Sequence, residues 1–368
     1  MKSGKAAHGA FSIGEARGIV RDLFEPNPWL YWIDFLASMT LGVAGFFAIR
    51  RLPLNWPLIA VAFAVSVLAF YRATLFTHEL THLRRGQFAG FRLAWNLLCG
   101  IPFLMPSFLY HTHVAHHMRR HFGTSDDGEY LPWGARPIWH LFVYLAQCLV
   151  MPVIAVARFG LLTPLCWFSP SVREFVQRHC SSMVVDPYYV RPLPTRNDRW
   201  VWRVQEGACC ALVWGNAAAM YFGLVPRPAA LLLQGYLTAV LIMLINQIRT
   251  LGAHRYTNTG GEMTFVEQML DSVNYPGGNW FRALWAPVGL RYHALHHLFP
   301  SMPYHHLGAA HCRLMQQLPA DSPYRLTNCP SLWLALSELW ANALASSRTQ
   351  RSPARPHFSG RTLQRRAG

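Results

Sequence analysis

The chain has 368 residues and a formal net charge of +16, yet only 14% of its residues are charged and 52% are hydrophobic. Its 14 Trp, 14 Tyr and 22 Phe make it more apolar and aromatic than ordinary soluble domains. The positive charge is not interleaved with aromatic residues as a nucleic-acid surface would be, so nucleic acid is excluded and membrane phospholipid is the partner that fits. Eight cysteines with no CxxC and no regular spacing read as ordinary buried thiols.

In chain order, residues 1–27 lack the apolar core of a signal peptide and are expected to form a cytoplasmic N-terminal segment. Spanning hydrocarbon takes roughly 20 mostly apolar residues. Runs of that length occur at about 29–49 and 56–76, with Arg50, Arg51 and Pro53 between them, and at about 208–225 and 229–248, separated by Pro226, Arg227 and Pro228. Turns this short force each pair into an antiparallel hairpin whose outer ends share one side of the membrane. Two further apolar stretches are interrupted, Phe91 to Tyr110 by Gly100, Pro102 and Pro106, and Ile138 to Phe168 by Pro152, Arg158 and Pro164. Both read as interfacial or partly inserted helices.

Residues 346–368 carry Arg348, Arg351, Arg355, Arg361, Arg365 and Arg366 with Pro353 and Pro356 and no acid, and read as a basic disordered tail. The expectation is an all-α integral membrane protein. A membrane domain at 28–345 would hold two transmembrane helical hairpins, a cytoplasmic helical cap and the interfacial helices. Arg84, Arg85, Arg119, Arg120 and the tail place the cap and both termini in the cytoplasm, as in a multi-pass protein of a bacterial inner membrane. Arg50, Arg51 and Arg227 pull mildly the other way.

The cap regions hold three histidine clusters: His78 and His82 in HELTH, His113, His116 and His117 in HVAHH, and His293, His296 and His297 in HALHH. Positions three and four apart share a helix face, so each cluster can aim its imidazoles at one point. Packing alone gives no reason to repeat HxxHH. Imidazole suits iron, copper and zinc rather than magnesium or calcium. All three clusters follow or precede the outer hairpin ends, and so face one compartment.

The order HxxxH, HxxHH, HxxHH around two membrane hairpins resembles the membrane-bound fatty acid desaturase family, which includes related hydroxylases, over about Phe76 to Leu307. IRTLGAHRYTN, ending at Asn258, is similar to the family stretch that supplies a further histidine, here His254. HHLFPSMPYHHL resembles the end of the family's catalytic core. The resemblance implies two iron ions held by His78, His82, His113, His116, His117, His254, His293, His296 and His297, with O2 as co-substrate and no catalytic residue beyond these ligands. Zinc, which lacks redox chemistry, could not support such a reaction. The implied activity is desaturation of a lipid acyl chain, with acyl or lipid hydroxylation as the alternative.

One position departs from the pattern. Some acyl-CoA desaturases carry an asparagine four residues before the extra histidine, where this chain has Thr250. Arg249 and Thr250 are candidates to hold a carboxylate or water there, but not to bind metal. No flavin-binding glycine motif, iron–sulfur cysteine set or haem domain is present, so electrons are expected from a separate ferredoxin or cytochrome with its reductase.

A ligating imidazole usually donates its other N–H to a carboxylate or carbonyl. Glu79, Asp126, Asp127, Glu262, Glu267 and Asp271 lie near the clusters in sequence, and Glu79 and Asp271 are the two selected for this role. His111, His121, His305 and His306 could line the site without binding metal. His8, His140, His179, His311 and His357 have no assigned role.

Two readings compete. HELTH also satisfies HExxH, the motif of zinc proteases including intramembrane ones, but that leaves six of the clustered histidines without purpose. A metal transporter would place its site near the bilayer midplane, whereas these histidines sit beyond the span ends.

Overall fold

The computed structural model describes residues 11–351 except 54, 85, 259, 278 and 279. Among the described residues the chain is helical, with isolated β-bridges and no strand. Its helices run α1 (Ile13–Ile19), α2 (Pro28–Ala48), α3 (Trp56–Thr74), α4 (Phe76–His82), α5 (Ala89–Trp95), α6 (His113–His116), α7 (Trp139–Ala157) and α8 (Thr163–Phe168). They continue with α9 (Pro170–His179), α10 (Asp198–Tyr221), α11 (Pro228–Leu251), α12 (Phe265–Asp271), α13 (Phe281–Trp285), α14 (His293–Leu298), α15 (Leu307–Gln317) and α16 (Leu332–Arg351).

Local chemistry sets the first hairpin. Asn27 accepts the Trp29 N–H at 3.0 Å with Pro28 in the first turn of α2, and Asn55 caps α3 through the Leu58 N–H at 3.3 Å. The two helices approach closely at small residues, because lipid offers no hydrophobic drive and backbone proximity must supply the contact. A Cβ on Gly42 would lie 2.4 Å from the Phe70 ring, and one on Gly45 would lie 2.8 Å from the Ala62 carbonyl oxygen. Ser66 seals the seam by donating to the Gly42 carbonyl at 2.9 Å.

The second hairpin, α10 and α11, turns through Arg227 at a φ of 53°. Arg50 donates to the Pro226 carbonyl at 2.7 Å and Gln234 donates to the Phe46 carbonyl at 2.6 Å, so the two hairpin turns lie together. The opposite ends lead to the histidines: α4 follows α3 after one residue, and His254 follows α11.

Among the described residues, four helical stretches are long and apolar enough to cross a membrane: Pro28–Ala48, Trp56–His82, Trp139–Phe168 and Pro228–Leu251. This set lacks the expected 208–225 and includes the stretch read as interfacial. The apolar run at 208–225 lies inside α10, whose earlier turns carry Asp198, Arg199, Arg203 and Glu206. Conversely, Pro152 lies within α7 without ending it, and Arg158 opens a π turn over Arg158–Leu162 that carries the helix into α8.

Trp139–Phe168 meets other parts of the chain just before its start and again at Arg158. Ile138 donates its N–H to Ser347 on α16 at 2.9 Å, beside the Trp133 and Ala343 cluster that includes Phe122. At the π turn Arg158 donates to the Cys180 carbonyl at 2.8 Å, to Ser181 and to Glu206, while Met183 donates to the Leu109 carbonyl at 2.9 Å.

Arg158 and Glu206 are both buried, and removing one partner of a buried pair leaves an uncompensated charge costing about 3–5 kcal/mol. Arg158→Met is expected to lower the thermal unfolding midpoint of the detergent-solubilised protein sharply. Arg158→Met combined with Glu206→Leu should recover part of the loss, because the Arg158–Glu206 pair is then gone although Arg173, 3.5 Å from Glu206, loses its partner.

The cap packs α1, α14 and α15 around Ala16, Val20, Leu295, Ala310 and Leu314. Part of the expected N-terminal segment therefore belongs to the folded body, tied further by an Arg313–Asp22 bond of 2.6 Å. α16 runs past the expected start of the tail at 346 and ends at Arg351. Arg85, Arg355, Arg361, Arg365 and Arg366 lie outside the described residues.

Candidate metal centre

Four short segments deliver the nine expected histidines. α4 extends the membrane helix α3 and presents His78 and His82, and α6 carries His113 and His116 with His117 as its C-cap residue. His254 follows the last turn of α11 and forms a β-bridge with Ser272, and α14 carries His293, His296 and His297. Eight of the nine are buried, and His82 is half-buried.

The nine fall into two groups: His78, His82, His113, His117 and His296 in one, and His116, His254, His293 and His297 in the other. Within each group, one ligand-capable nitrogen of every residue lies within 4.8 Å of the others. The spacing HxxHH explains the division. Its first and last histidines are one turn apart on a common face, giving the pairs His113/His117 and His293/His297. The histidine between them turns away to the neighbouring group, His116 to the second and His296 to the first. The groups adjoin, with His117 and His297 ring centroids 4.3 Å apart and Nε2 of His117 and His296 at 3.2 Å.

Burial, reinforced by neighbouring imidazoles, drives the proton affinities of His117, His296 and His297 well below the ordinary range. His113 and His293 are shifted the same way for the same main reason. Neutral rings direct their lone pairs inward, and Nε2 atoms approach at 3.0 Å for His113/His117 and His254/His293 and at 3.2 Å for His293/His297. Nitrogens so close are placed to share a cation. Nε2 of His78 and of His82 are buried with no hydrogen-bond partner. A nitrogen-rich, thiolate-free donor set of this kind fits iron.

Two carboxylates bond outward ring nitrogens, and a third lies beside one that a serine holds. Nδ1 of His113 meets Glu129 at 2.8 Å, Nδ1 of His116 meets Asp127 at 2.8 Å, and Nδ1 of His254 lies 3.4 Å from Asp271, with Ser272 Oγ at 3.2 Å. Such partners fix the tautomer that leaves Nε2 free. For His116 burial opposes the charged form, but Asp127 more than offsets it and raises the imidazole pKa. Burial alone would raise Asp127 and Asp271, yet His116 and His254 hold each of them below its usual value. Glu129 is pushed up to about 8, chiefly by burial.

Of the acids selected from sequence, Asp271 lies beside His254. Glu79 lies 3.8 Å from His78 Nδ1 but is engaged elsewhere, accepting the Tyr31 hydroxyl at 2.7 Å and the Tyr304 N–H at 3.2 Å. Asp126 and Glu262 are exposed, and Glu267 forms a capping box with Thr264 at the start of α12. Glu129 escaped sequence reading. Its signal was the DxE spacing in the turn after the second cluster, where the Glu129 N–H bonds Asp127 and both side chains reach back.

The remaining histidines stand apart from the two groups. His305 accepts the Asn27 N–H at 3.4 Å, His306 donates to the Leu23 carbonyl at 2.9 Å, and His311 pairs with Tyr324 at 2.8 Å. His140 stacks on Trp139, His179 lies against Phe175, and His121 is half-buried beside Asp126. His111 is exposed, and His8 and His357 lie outside the described residues.

Asn274, also missed from sequence, positions α14. Fully buried, it accepts the Leu295 N–H at 3.1 Å, donates its amide to Thr327 at 2.9 Å, and forms β-bridges to Tyr292 and Asn328. Asn274→Leu strands those buried groups, and is expected to cost about 1–3 kcal/mol of stability. Thermal unfolding should show the loss, with metal content falling in parallel.

The profile of the fatty acid desaturase family matches residues 52–328, a stretch that contains all nine histidines. The chain belongs to the fatty acid desaturase family. This family member is 40% identical over 329 residues to the ceramide hydroxylase of Caulobacter vibrioides (strain NA1000 / CB15N), covering 89% of this chain and 92% of that protein. No solved structure matches it. As a desaturase family member it is an oxidoreductase-class enzyme, in which two histidine groups are available to hold metal.

Proposed function

We propose that the protein is an O2-dependent membrane hydroxylase acting on a ceramide-class lipid, with two irons held by the nine histidines. This reverses the order of the sequence reading, which put desaturation first: the similarity to a ceramide hydroxylase across nearly the full length of both chains favours the alternative. The observation that carries the metal assignment is the pair of adjoining, buried histidine groups.

When bound, iron supplies the redox chemistry that couples reduction of O2 to oxidation of an unactivated C–H bond. The chain supplies the rest. Asp127 and Glu129 hold the Nδ1 protons of His116 and His113, Ser272 Oγ meets Nδ1 of His254 beside Asp271, and the buried imidazoles keep bulk water away. α3 runs into α4, and α11 ends three residues before His254, so a lipid in the bilayer has a short path to the histidines.

One oxygen atom enters the lipid and the other leaves as water, which consumes two electrons and two protons. A separate ferredoxin or cytochrome with its reductase would deliver the electrons. The hairpin turns at Arg50 and Pro226 lie at the end opposite the histidines, and exposed Arg119 and Arg120 beside the second cluster favour a cytoplasmic site.

Lipid mass spectrometry of a ceramide-producing host tests the reading. Expression should add one oxygen to a ceramide, and that oxygen should carry the label under oxygen-18 gas. A product lacking two hydrogens, with no added oxygen, would restore desaturation.

A further inference from the structure

Arg249 occupies the last turn of α11 and is buried. A buried cation at the end of a membrane helix is costly and is retained where it has a task. The other arginines of the span helices meet carboxylates: Arg72 bonds Asp34 at 2.5 Å, and Arg158 bonds Glu206. Arg249 forms no ion pair among the described residues. Its guanidinium hydrogen-bonds the neutral oxygens Asn246 Oδ1 at 3.1 and 3.2 Å and Thr250 Oγ1 at 3.0 Å, and its charge also acts on the Glu129 carboxyl and the Tyr71 hydroxyl.

The surroundings are polar and close to the histidines. Thr250 Oγ1 donates to the Asn246 carbonyl at 2.9 Å, the Tyr256 hydroxyl donates to the Thr250 carbonyl at 2.7 Å, and Gln247 donates to the Tyr144 carbonyl at 2.8 Å. For His113 and His293, one from each group, burial and neighbouring imidazoles act most strongly, but the Arg249 charge reaches both. A plain acyl chain offers nothing to such a cation. A ceramide offers an amide carbonyl and hydroxyl oxygens.

We propose that Arg249, with Asn246 and Thr250, receives an amide or hydroxyl oxygen of the lipid and so fixes which carbon meets the metal centre. This rests on the ceramide-hydroxylase reading. Arg249 is then a specificity-determining residue rather than a metal ligand.

The test uses the full chain in nanodiscs, comparing wild type with Arg249→Gln and Arg249→Lys for iron content and for binding of a short-chain ceramide and of hexadecane. A charge-assisted hydrogen bond lost from a buried site should weaken ceramide binding by at least about tenfold in the Gln variant. Hexadecane binding and iron content should hold, Lys should recover part of the affinity, and the hydroxyl position in the product should broaden. Unchanged ceramide affinity, or iron lost from both variants, would overturn the proposal. Wild type that neither binds nor hydroxylates ceramide would instead sink the substrate reading, before any variant is compared.

Discussion

His117→Ala is expected to abolish lipid hydroxylation while leaving the membrane fold intact. His117 is the side chain at which the two groups meet: its Nε2 lies 3.0 Å from that of His113 and 3.2 Å from that of His296, and its ring lies against His297. Changes to groups that merely orient ligands commonly cost about 10–100-fold in metal affinity or activity, so removal of the ligand itself should exceed that range. The check is product formation in whole cells together with the elution profile of the detergent-solubilised protein. A variant that still hydroxylates within tenfold of wild type would remove His117 from the centre.

Asp127→Asn is the sharper test of how the ligands are held. Asp127 Oδ2 accepts from His116 Nδ1 at 2.8 Å and from the Gly123 N–H at 2.9 Å, while Oδ1 accepts the Glu129 N–H at 2.9 Å. Every partner is a donor. An asparagine keeps the shape but must turn its own NH2 toward one of them, which sets donor against donor in a buried place. Activity or metal affinity should fall about 10–100-fold. Asp126→Asn, one residue earlier and largely exposed, should leave both unchanged. Equal behaviour of the two variants, measured as product per iron bound, would contradict the assignment.

The histidine framework was legible because its code is local: i,i+4 pairs on short helices and a repeated HxxHH that divides itself between two groups. The carboxylates were less so. Several acids lie near the clusters in sequence, and only the fold of the 123–130 turn shows that Asp127 and Glu129 point inward while Asp126 points out. Glu79 adjoins His78 in sequence, but the hydroxyl of Tyr31 and the N–H of Tyr304 claim its carboxylate. Asn274 gave no signal at all, since its partners Leu295 and Thr327 are distant in sequence.

Spans were legible by apolar length except where helix and apolar run part company. α10 begins in charged residues, so its apolar half was visible but not its full extent. The 139–168 stretch looked broken at Arg158, whereas a π turn and a buried partner, Glu206, carry the helix through.

The HExxH reading of HELTH asks Glu79 to act as a general base on a metal-bound water. Its carboxylate instead ties α4 to α2 and to the segment after the third cluster, through Tyr31 and Tyr304. His78 and His82 also share their group with His113, His117 and His296, which a protease site would not need.

Elemental analysis of the purified protein, wild type beside His297→Ala and His82→Ala, tests the metal centre most directly. Two irons per chain in wild type, reduced in both variants, is the result expected from two adjoining histidine groups. One zinc per chain, retained in His297→Ala and lost in His82→Ala, would contradict it and return HELTH to the protease reading.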